Sequence, residues 1–149
     1  MQNVFAEKLD HAKKLTAEIL SSVVLINNKK GAFTITALPP QVQWSPVFSF
    51  YTTDFNQDGM TDVVSAGNFY GVTPYEGRYD AGYGNVLLNQ KSGSFKIPGS
   101  LQTGLIVDGE VRDIKIIKTI NGASMIAFAR NNDSIKFYKL TGKNVSRLN

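Results

Sequence analysis

Cysteine is absent from this chain of 149 residues, and histidine occurs only once, as His11. The absence of cysteine excludes disulfides, thiolate metal sites and cysteine nucleophiles. No segment approaches the roughly 18 consecutive apolar residues that a membrane-spanning helix requires. The N-terminus turns charged at Glu7 and Lys8 and has no signal-peptide pattern. For an exported protein, we therefore expect the targeting segment to lie upstream of this chain.

The formal net charge is +4, and it is unevenly distributed along the chain. Residues 54–108 have an acidic excess and residues 109–149 a basic excess. The lysines of the basic part alternate with apolar residues, as they do on the solvated faces of strands, which argues against a nucleic-acid interface. The length is that of one compact domain.

Residues 5–20 have the spacing of an amphipathic helix, with apolar side chains recurring every three or four positions. These positions are Phe5, Leu9, Ala12, Leu15 or Thr16, and Ile19. We expect this apolar stripe to pack on a sheet. His11 falls on the opposite side of the helix from Leu9, so we interpret it as an exposed residue and not as a metal ligand or base.

After residue 21 the pattern changes to short runs rich in Val, Ile, Phe, Tyr and Thr, separated by Gly, Asn, Asp and Pro turns. The predicted strands are Ser22–Asn27, Ala32–Ala37, Val47–Thr53, Asp62–Ala66, Asn85–Asn89, Ser94–Ile97, Val111–Ile117, Ser124–Ala129, Ser134–Leu140 and Val145–Leu148. No helical period intervenes, which predicts an antiparallel all-β architecture. The prolines between 39 and 46 mark a connection that cannot be a central strand.

The chain also contains an internal repeat. Residues 24–35 align without gaps to residues 86–97, at an offset of 62. At an offset of 63, residues 58–68 align to residues 121–131, with a shared glycine, alanine and asparagine. A period near 60 with four short strands suits a propeller blade better than a sandwich.

Part of the repeat resembles the motif of a known family. The segment 54–64 (DFNQDGMTDVV), followed by 84–89 (GNVLLN) and 93–95 (GSF), resembles the FG-GAP/VCBS repeat. That repeat builds the blades of integrin-α-like β-propellers and of many exported bacterial proteins.

The resemblance covers roughly residues 21–140 and implies how the chain is divided. Residues 21–37 would be the two outer strands of one blade, residues 47–97 a whole blade, and residues 110–148 the next blade. The chain, 1–149, would be a single domain or a propeller fragment. It would hold about two antiparallel blades, the outer strands of a third and one N-terminal helix at 5–20. That helix has no counterpart in the repeat.

The acidic segment between two predicted strands has the spacing of a calcium loop. Side-chain oxygens stand at loop positions 1, 3, 5 and 9, a glycine at position 6 permits the sharp turn, and position 7 offers its backbone carbonyl. These ligands are Asp54, Asn56, Asp58 and Asp62, with the carbonyl of Met60. Oxygen-only ligands select a hard cation, and a loose shell suits Ca²⁺ better than Mg²⁺.

Two features limit this calcium prediction to one site. An EF-hand would have Glu at position 12, where Ser65 stands, so the loop is a shorter strand–loop–strand version. At the offset of 63, the four side-chain ligands map to Ile117, Thr119, Asn121 and Met125, and no carboxylate remains. The alternative to a metal site is an Asx-turn hairpin, because such turns favour Asp.

The segment from residue 67 to residue 84 is a long, aromatic-rich insertion between two strands. Tyrosines beside charged side chains can stack on sugar rings or anchor a protein partner. The candidate residues are Tyr70, Tyr75, Glu76, Arg78, Tyr79, Asp80 and Tyr83. As a recognition surface it should expose its tyrosines at 75, 79 and 83. Alternatively, the rings pack on a neighbouring blade and the arginine pairs with one of the two acids.

A second group of polar residues is interpreted as having a structural role. The sequence contains no recognisable catalytic motif. Arg112, Asp113, Arg130, Asn131 and Asp133 are interpreted as salt bridges and turn caps. The chain has no phosphate loop, zinc spacing or nucleophile–base pair. The paired carboxylates are explained more simply as calcium ligands than as the acid and base of a glycosidase.

The sequence and the resemblance therefore predict a non-enzymatic, calcium-binding propeller segment of an exported bacterial protein. We expect it to lie in the periplasm, at the cell surface or outside the cell, and to serve ligand binding or cell-surface structure. Its partner would be a protein or a glycan. One alternative is a propeller module of a carbohydrate-active enzyme that contacts glycan; another is a purely structural pair of blades. An incomplete propeller would self-associate or belong to a larger one, unless the helix covers its open face.

Overall fold

The computed structural model describes residues 12–91, 93–141 and 145–147, and its regular elements are nearly all strands. The strands are β1 (Val23–Asn27), β2 (Phe33–Ala37), β3 (Val47–Thr53), β4 (Asp62–Gly67), β5 (Asn85–Asn89), β6 (Phe95–Lys96), β7 (Val111–Lys118), β8 (Ser124–Arg130), β9 (Lys136–Leu140) and β10 (Val145–Arg147). The described helices are α1 (Pro40–Gln43) and α2 (Ser100–Thr103). The strand bounds lie within one or two residues of those predicted.

The ten strands form three antiparallel sheets in which each strand pairs with the next one along the chain. β1 and β2 form the N-terminal hairpin, β3 to β6 form the first meander, and β7 to β10 form the second meander. Strands with short connections pair most readily with their chain neighbours. The predicted antiparallel all-β architecture is confirmed.

The N-terminal hairpin and the β5–β6 hairpin have the same register and the same turn. Asn27 pairs with Phe33, and Asn89 pairs with Phe95, 62 residues later in both strands. In each turn the asparagine side-chain oxygen accepts a hydrogen bond from the backbone N–H two residues further on, at 2.8 and 2.9 Å. The two hairpins therefore have the same local structure from similar sequences.

The β3–β4 and β7–β8 ladders also match each other, including an irregularity. The register shifts between Val47 and Ser49 in the first ladder and between Val111 and Asp113 in the second. An extra residue in one strand bends it and increases its twist. Both meanders therefore begin with a bulged, strongly twisted pair of strands.

The pairing shows that the two hairpin loops differ by one residue. Thr53 pairs with Asp62 in the first meander, and Ile117 pairs with Met125 in the second. The offset is therefore 64 along β3 and β7, but 63 along β4 and β8. The ungapped alignment of Asp54 with Ile117 is wrong by one residue, because one loop residue is absent from the second hairpin.

The core lies between the two meanders, where β3 and β4 contact β7. Apolar side chains of the first meander, the second meander and the segment that joins them meet there. They are Val64, Ala66, Val86, Leu105, Val107, Val111, Ile114, Ile126, Phe128 and Tyr138. The last two rings pack edge to face, 5.7 Å apart. Burying each large side chain in such a core contributes roughly 1.5–3 kcal/mol.

The chain before β1 differs from the prediction. Residues 12–20 have no regular secondary structure, and Leu15 and Leu20 are 80% and 88% exposed. A short helix depends on burial of its apolar face, and in this segment that face is exposed. The predicted helix over 5–20, and its packing on a sheet, are therefore wrong for residues 12–20. Residues 5–11 lie outside the described residues, so the earlier part of that prediction, with His11, is not described.

Each short helix lies in the connection that leads into a meander. α1 begins at a proline, which is favourable at the first helical position because its missing N–H has no intrahelical partner there. Val42 in α1 and Thr103 in α2 are buried. The prediction that residues 39–46 form a connection is confirmed. Neither described helix has the length and hydropathy needed to cross a membrane.

Candidate calcium loop and ligand-binding loop

The acidic loop between β3 and β4 is organised by its first aspartate. The two carboxylate oxygens of Asp54 accept hydrogen bonds from the N–H groups of Asp58, at 3.1 Å, and Gly59, at 2.8 Å. Gln57 and Gly59 adopt left-handed conformations, with φ of 62° and 82°. Glycine adopts this conformation without a steric cost. The side chain at loop position 1 thus closes the tight turn.

The last aspartate of the loop is fully buried. The carboxylate of Asp62 accepts hydrogen bonds from the backbone N–H of Phe55, at 3.0 Å, and of Asn89, at 2.8 Å. It therefore fastens the loop to the end of β5. Among the described residues it forms no salt bridge. A buried carboxylate with only neutral donors around it is an environment that a bound cation would stabilise.

The remaining candidate ligands also make hydrogen bonds within the loop. The Asn56 amide nitrogen donates to one oxygen of Asp58, and the N–H of Met60 donates to the other, both at 2.8 Å. Among the side chains that the structure describes, no three Asp, Glu or His residues form a group that could hold a metal ion. The loop therefore fits calcium by the chemistry of its donors, but its carboxylates are not gathered around one point.

The corresponding hairpin of the second meander is closed without carboxylates. The N–H and hydroxyl of Thr119 both donate to the carbonyl of Ala123, at 2.9 and 3.1 Å. The N–H of Gly122 donates to the carbonyl of Thr119 at 2.9 Å. The one-residue correction to the alignment changes nothing here, because residues 118–124 contain no acid.

The tyrosine-rich connection between β4 and β5 forms a small lobe. It spans residues 68–84, whereas its counterpart between β8 and β9 spans only residues 131–135. Phe69 and Tyr79 exchange two backbone hydrogen bonds, at 2.9 and 3.0 Å, which close the lobe at its base. Tyr75, Tyr79 and Tyr83 are 87%, 50% and 53% exposed. All three rings therefore have the exposure that a recognition surface requires, and they are not buried against a neighbouring meander.

The charged residues of the lobe are arranged differently from the predicted ion pair. The guanidinium of Arg78 lies over the Tyr70 ring, 4.6 Å from its centroid, as in a cation–π contact. No salt bridge joins Arg78 to Glu76 or Asp80 in the described part of the chain. Burial, with a further contribution from the charge of Asp80, raises the pKa of Tyr70. The lobe therefore offers exposed rings, with one cation held against a ring.

Asn68 fastens the start of this lobe to both meanders. The residue is 2% exposed. Its amide nitrogen donates hydrogen bonds to the carbonyls of Gly82, at 2.8 Å, and Gly109, at 3.1 Å. Its side-chain oxygen accepts hydrogen bonds from the N–H of Gly82, at 3.0 Å, and from the hydroxyl of Ser45. All hydrogen-bonding positions of this buried amide are filled, which fixes the lobe relative to the sheets.

Glu110 is a buried carboxylate that sequence reasoning missed. One oxygen accepts hydrogen bonds from the Tyr70 N–H, at 2.8 Å, and from the Arg112 guanidinium, at 2.6 Å. The other accepts one from the Asn131 side-chain amide, at 2.8 Å. These bonds, with that from Asn131 the largest influence, hold the pKa of Glu110 below its usual range. The residue lies between Gly109 and the first residue of β7, and nothing in its neighbours' spacing indicates these partners.

The predicted polar group of the second meander is structural. Arg130 bonds to Asp133 at 2.6 Å and to Asp108 at 3.2 Å, while Asp113 bonds to Lys115 at 3.0 Å. The other two members of the group, the arginine at 112 and the asparagine at 131, bind Glu110. The interpretation as salt bridges and turn caps is confirmed, although the contacts form separate pairs and not one cluster.

Comparison of the chain with known proteins identified no relative. No family model, no curated protein and no solved structure matches the chain. The fold and the two loops therefore define only a class, that of all-β proteins made of consecutive antiparallel meanders.

Proposed function

We propose that this chain is a non-enzymatic, calcium-binding propeller segment that binds a ligand or serves cell-surface structure outside the cytoplasm of a bacterium. The observation that carries the proposal is the repetition of its architecture. The same turn and register recur in two hairpins, and the same bulged ladder opens both meanders. Consecutive four-stranded antiparallel sheets packed face against face are typical of propeller blades.

The FG-GAP/VCBS resemblance supplies the calcium part of the proposal. Side-chain oxygens of Asp54, Asn56, Asp58 and Asp62 and the carbonyl of Met60 would hold the ion. When bound, Ca²⁺ would supply the positive charge that the three carboxylates of this loop otherwise lack. Support comes from the buried carboxylate of Asp62, which accepts two backbone N–H bonds but has no cationic partner among the described residues. Binding to the folded state alone would stabilise the protein by mass action.

The tyrosine-rich lobe is our candidate for contact with a protein or glycan partner. Its rings are exposed, and the lobe is fixed at its base by a buried amide network, so a ligand would meet a preformed surface. Preorganisation lowers the entropy cost of binding. A carbohydrate-active enzyme with this module would have the same exposed rings, and its full-length gene would encode a catalytic domain elsewhere.

We also propose that the open side of the first meander meets further protein, either a second copy or the remainder of a larger propeller. An apolar groove of about 500 Å³ lies between the N-terminal hairpin and this meander. Phe50 and Leu25 line it and remain exposed. β1 is the counterpart of β5 in the repeat. In the described part of the chain β1 pairs only with β2, whereas β5 pairs with both β4 and β6, so one edge of β1 has no strand beside it. Light scattering tests self-association: a strictly monomeric protein at high concentration would rule that version out.

The calcium proposal is tested by calorimetric titration of the metal-free protein with Ca²⁺. We expect one saturable site in the wild type and none in Asp58→Ala. Asn121→Ala, in the second hairpin, is the matched control and should retain the wild-type affinity. A titration of the wild type without saturable heat would refute the site, and a loss of affinity in Asn121→Ala would show that the ligands are misassigned.

A further inference from the structure

A second, smaller pocket lies where three connections meet. It has a volume of about 280 Å³ and lies between α1, the end of the tyrosine-rich lobe and the segment that leads into α2. Its side-chain walls include Gln41, Trp44, Tyr83, Asn85, Ser100 and Thr103. Of these, only the tyrosine belongs to the candidate site described above.

Two aromatic side chains border this pocket, and both are exposed. Trp44 is the only tryptophan of the chain and follows α1, while Tyr83 is the last residue but one of the lobe. Large exposed aromatic side chains provide an apolar surface together with a polar group. Small-molecule pockets combine such rings with a few polar groups that fix the orientation of the ligand.

One polar wall of the pocket has an unsatisfied atom. The side-chain oxygen of Gln41 is shielded from solvent and has no hydrogen-bond partner among the described residues. Gln43, two residues later, accepts from the Ser22 N–H at 2.7 Å and donates to two carbonyls, at 2.9 and 3.0 Å. Gln43 is therefore structural, whereas the Gln41 oxygen has no protein partner among the described residues and would reach a donor in the pocket only after its side chain rotates.

The charge of the walls narrows the class of ligand. None of the described residues that border the pocket is charged, and the polar ones are amides and hydroxyls. An anionic or cationic ligand would lose hydration here without an opposite charge in return. A neutral ligand with several hydroxyl groups and an apolar face fits both the amides and the rings.

We infer that this pocket binds a neutral saccharide unit, with Trp44 and Tyr83 against the apolar face of the sugar. The Gln41 side chain turns toward the pocket on binding and accepts a hydrogen bond from a hydroxyl. The inference deepens the ligand-binding part of the proposed function and rests on it. It does not depend on calcium, because none of the calcium-loop residues borders the pocket. It also differs from recognition by the tip of the lobe, where Tyr75 lies.

The single tryptophan makes a direct test possible. Its fluorescence is followed while the protein is titrated with cellotriose, maltotriose, mannotriose and chitotriose, in calcium and in EDTA. We expect a saturable change with at least one of these trisaccharides under both conditions. A proline-rich peptide is titrated in parallel, because exposed aromatic grooves also accept such peptides.

Three variants that retain the tryptophan locate the site. Gln41→Leu and Tyr83→Ala should each weaken saccharide binding about tenfold, the loss expected when roughly 1.4 kcal/mol of contact is removed. Tyr75→Ala, at the exposed tip of the lobe, should bind as the wild type does. Equal affinity in Gln41→Leu and the wild type would overturn the assignment. So would an absence of saturable change with all four trisaccharides, or a change produced by the peptide alone.

The outcomes separate this inference from the calcium proposal. Saccharide binding without calcium binding would refute the metal site alone. Calcium binding without a saccharide response would refute the pocket alone.

Discussion

The hairpin loops that open the two meanders lie at the ends of matching ladders, yet they are closed by different chemistry. Between β3 and β4 the turn is held by aspartate carboxylates, and its last aspartate is fully buried. Between β7 and β8 a threonine and backbone groups suffice, with one residue fewer. The comparison shows that the bulged ladder does not itself require acidic residues in its loop. The ladder therefore does not account for the three aspartates of the first loop, and this is the difference that the calcium proposal would explain.

The next connections of the two meanders differ in a similar way. The longer one, residues 68–84, is anchored by Asn68, and the shorter one begins with Asn131 at the equivalent position. Both asparagine N–H groups bond to the carbonyl at the start of the preceding ladder, at 3.0 and 2.8 Å. Only Asn68 uses every hydrogen-bonding group of its side chain. The added lobe thus has its own anchor, built on a position that both meanders share.

The largest effect is expected at Glu110, where the two meanders and the lobe are joined. Glu110→Ala should destabilise the protein by about 3 kcal/mol, because it removes hydrogen bonds from three partners, one of them an ion pair with Arg112. Urea denaturation measures the change. Asp113→Ala, which removes a half-exposed ion pair, is the control and should cost far less, because solvent screens such a pair. Equal costs for the two variants would contradict the role of Glu110 as a junction.

The two asparagines at the equivalent positions should differ in the same assay. Asn68→Ala should cost about 2 kcal/mol, because it removes four side-chain hydrogen bonds and places alanine at a φ of 77°. Asn131→Ala removes one such bond near the surface and should cost about 1 kcal/mol. A larger loss in Asn131→Ala would show that the shared backbone position, and not the lobe anchor, determines stability.

The depressed pKa of Glu110 predicts how its contribution depends on pH. The folded-state pKa lies below the ordinary value of 4.5, so its stabilisation is complete above that value. It is lost as pH falls through the folded-state pKa, because the carboxylate is then protonated. The difference in unfolding free energy between the wild type and Glu110→Gln should therefore shrink between about pH 5 and pH 3. A difference that is constant over this range would contradict the ionised state of the buried carboxylate.

A smaller contrast is expected between the two glutamines of α1. Gln43→Leu should cost about 1 kcal/mol, because the backbone groups of Ser22 and Leu38 lose their partner. Gln41→Leu should be neutral or slightly stabilising, since it removes an unsatisfied buried acceptor. Thermal unfolding of both variants without saccharide measures this. A clear destabilisation by Gln41→Leu would mean that the amide oxygen has a structural partner.

Strands and tight turns could be predicted because their signals are local. Alternating apolar residues and Asn-Lys-Gly turns set the bounds of strands such as β5 within two residues. The insertion at residues 67–84 was also visible as an interruption between two strand patterns, although the sequence left open whether its rings are exposed or packed. These features depend on neighbours in sequence, so a single sequence contains the information.

The rest depends on contacts between distant residues. The apolar spacing of Leu15 and Ile19 predicted a helix, but residues 12–20 are exposed, and a helix gains little without a surface to pack on. The buried Glu110 is defined by partners 40 and 21 residues away in sequence. The one-residue difference between the hairpin loops became visible only from strand pairing. None of these properties has a local signature.

Calcium-dependent thermal unfolding tests the central claim most directly. The melting temperature of the wild type, of Asp58→Ala and of Asn121→Ala is measured in EDTA and in excess Ca²⁺. We predict that calcium raises the melting temperature of the wild type and of Asn121→Ala by the same amount, because the ion binds only the folded state of the first loop. Asp58→Ala should show no rise. An equal rise in all three proteins, or none in the wild type, would contradict the account.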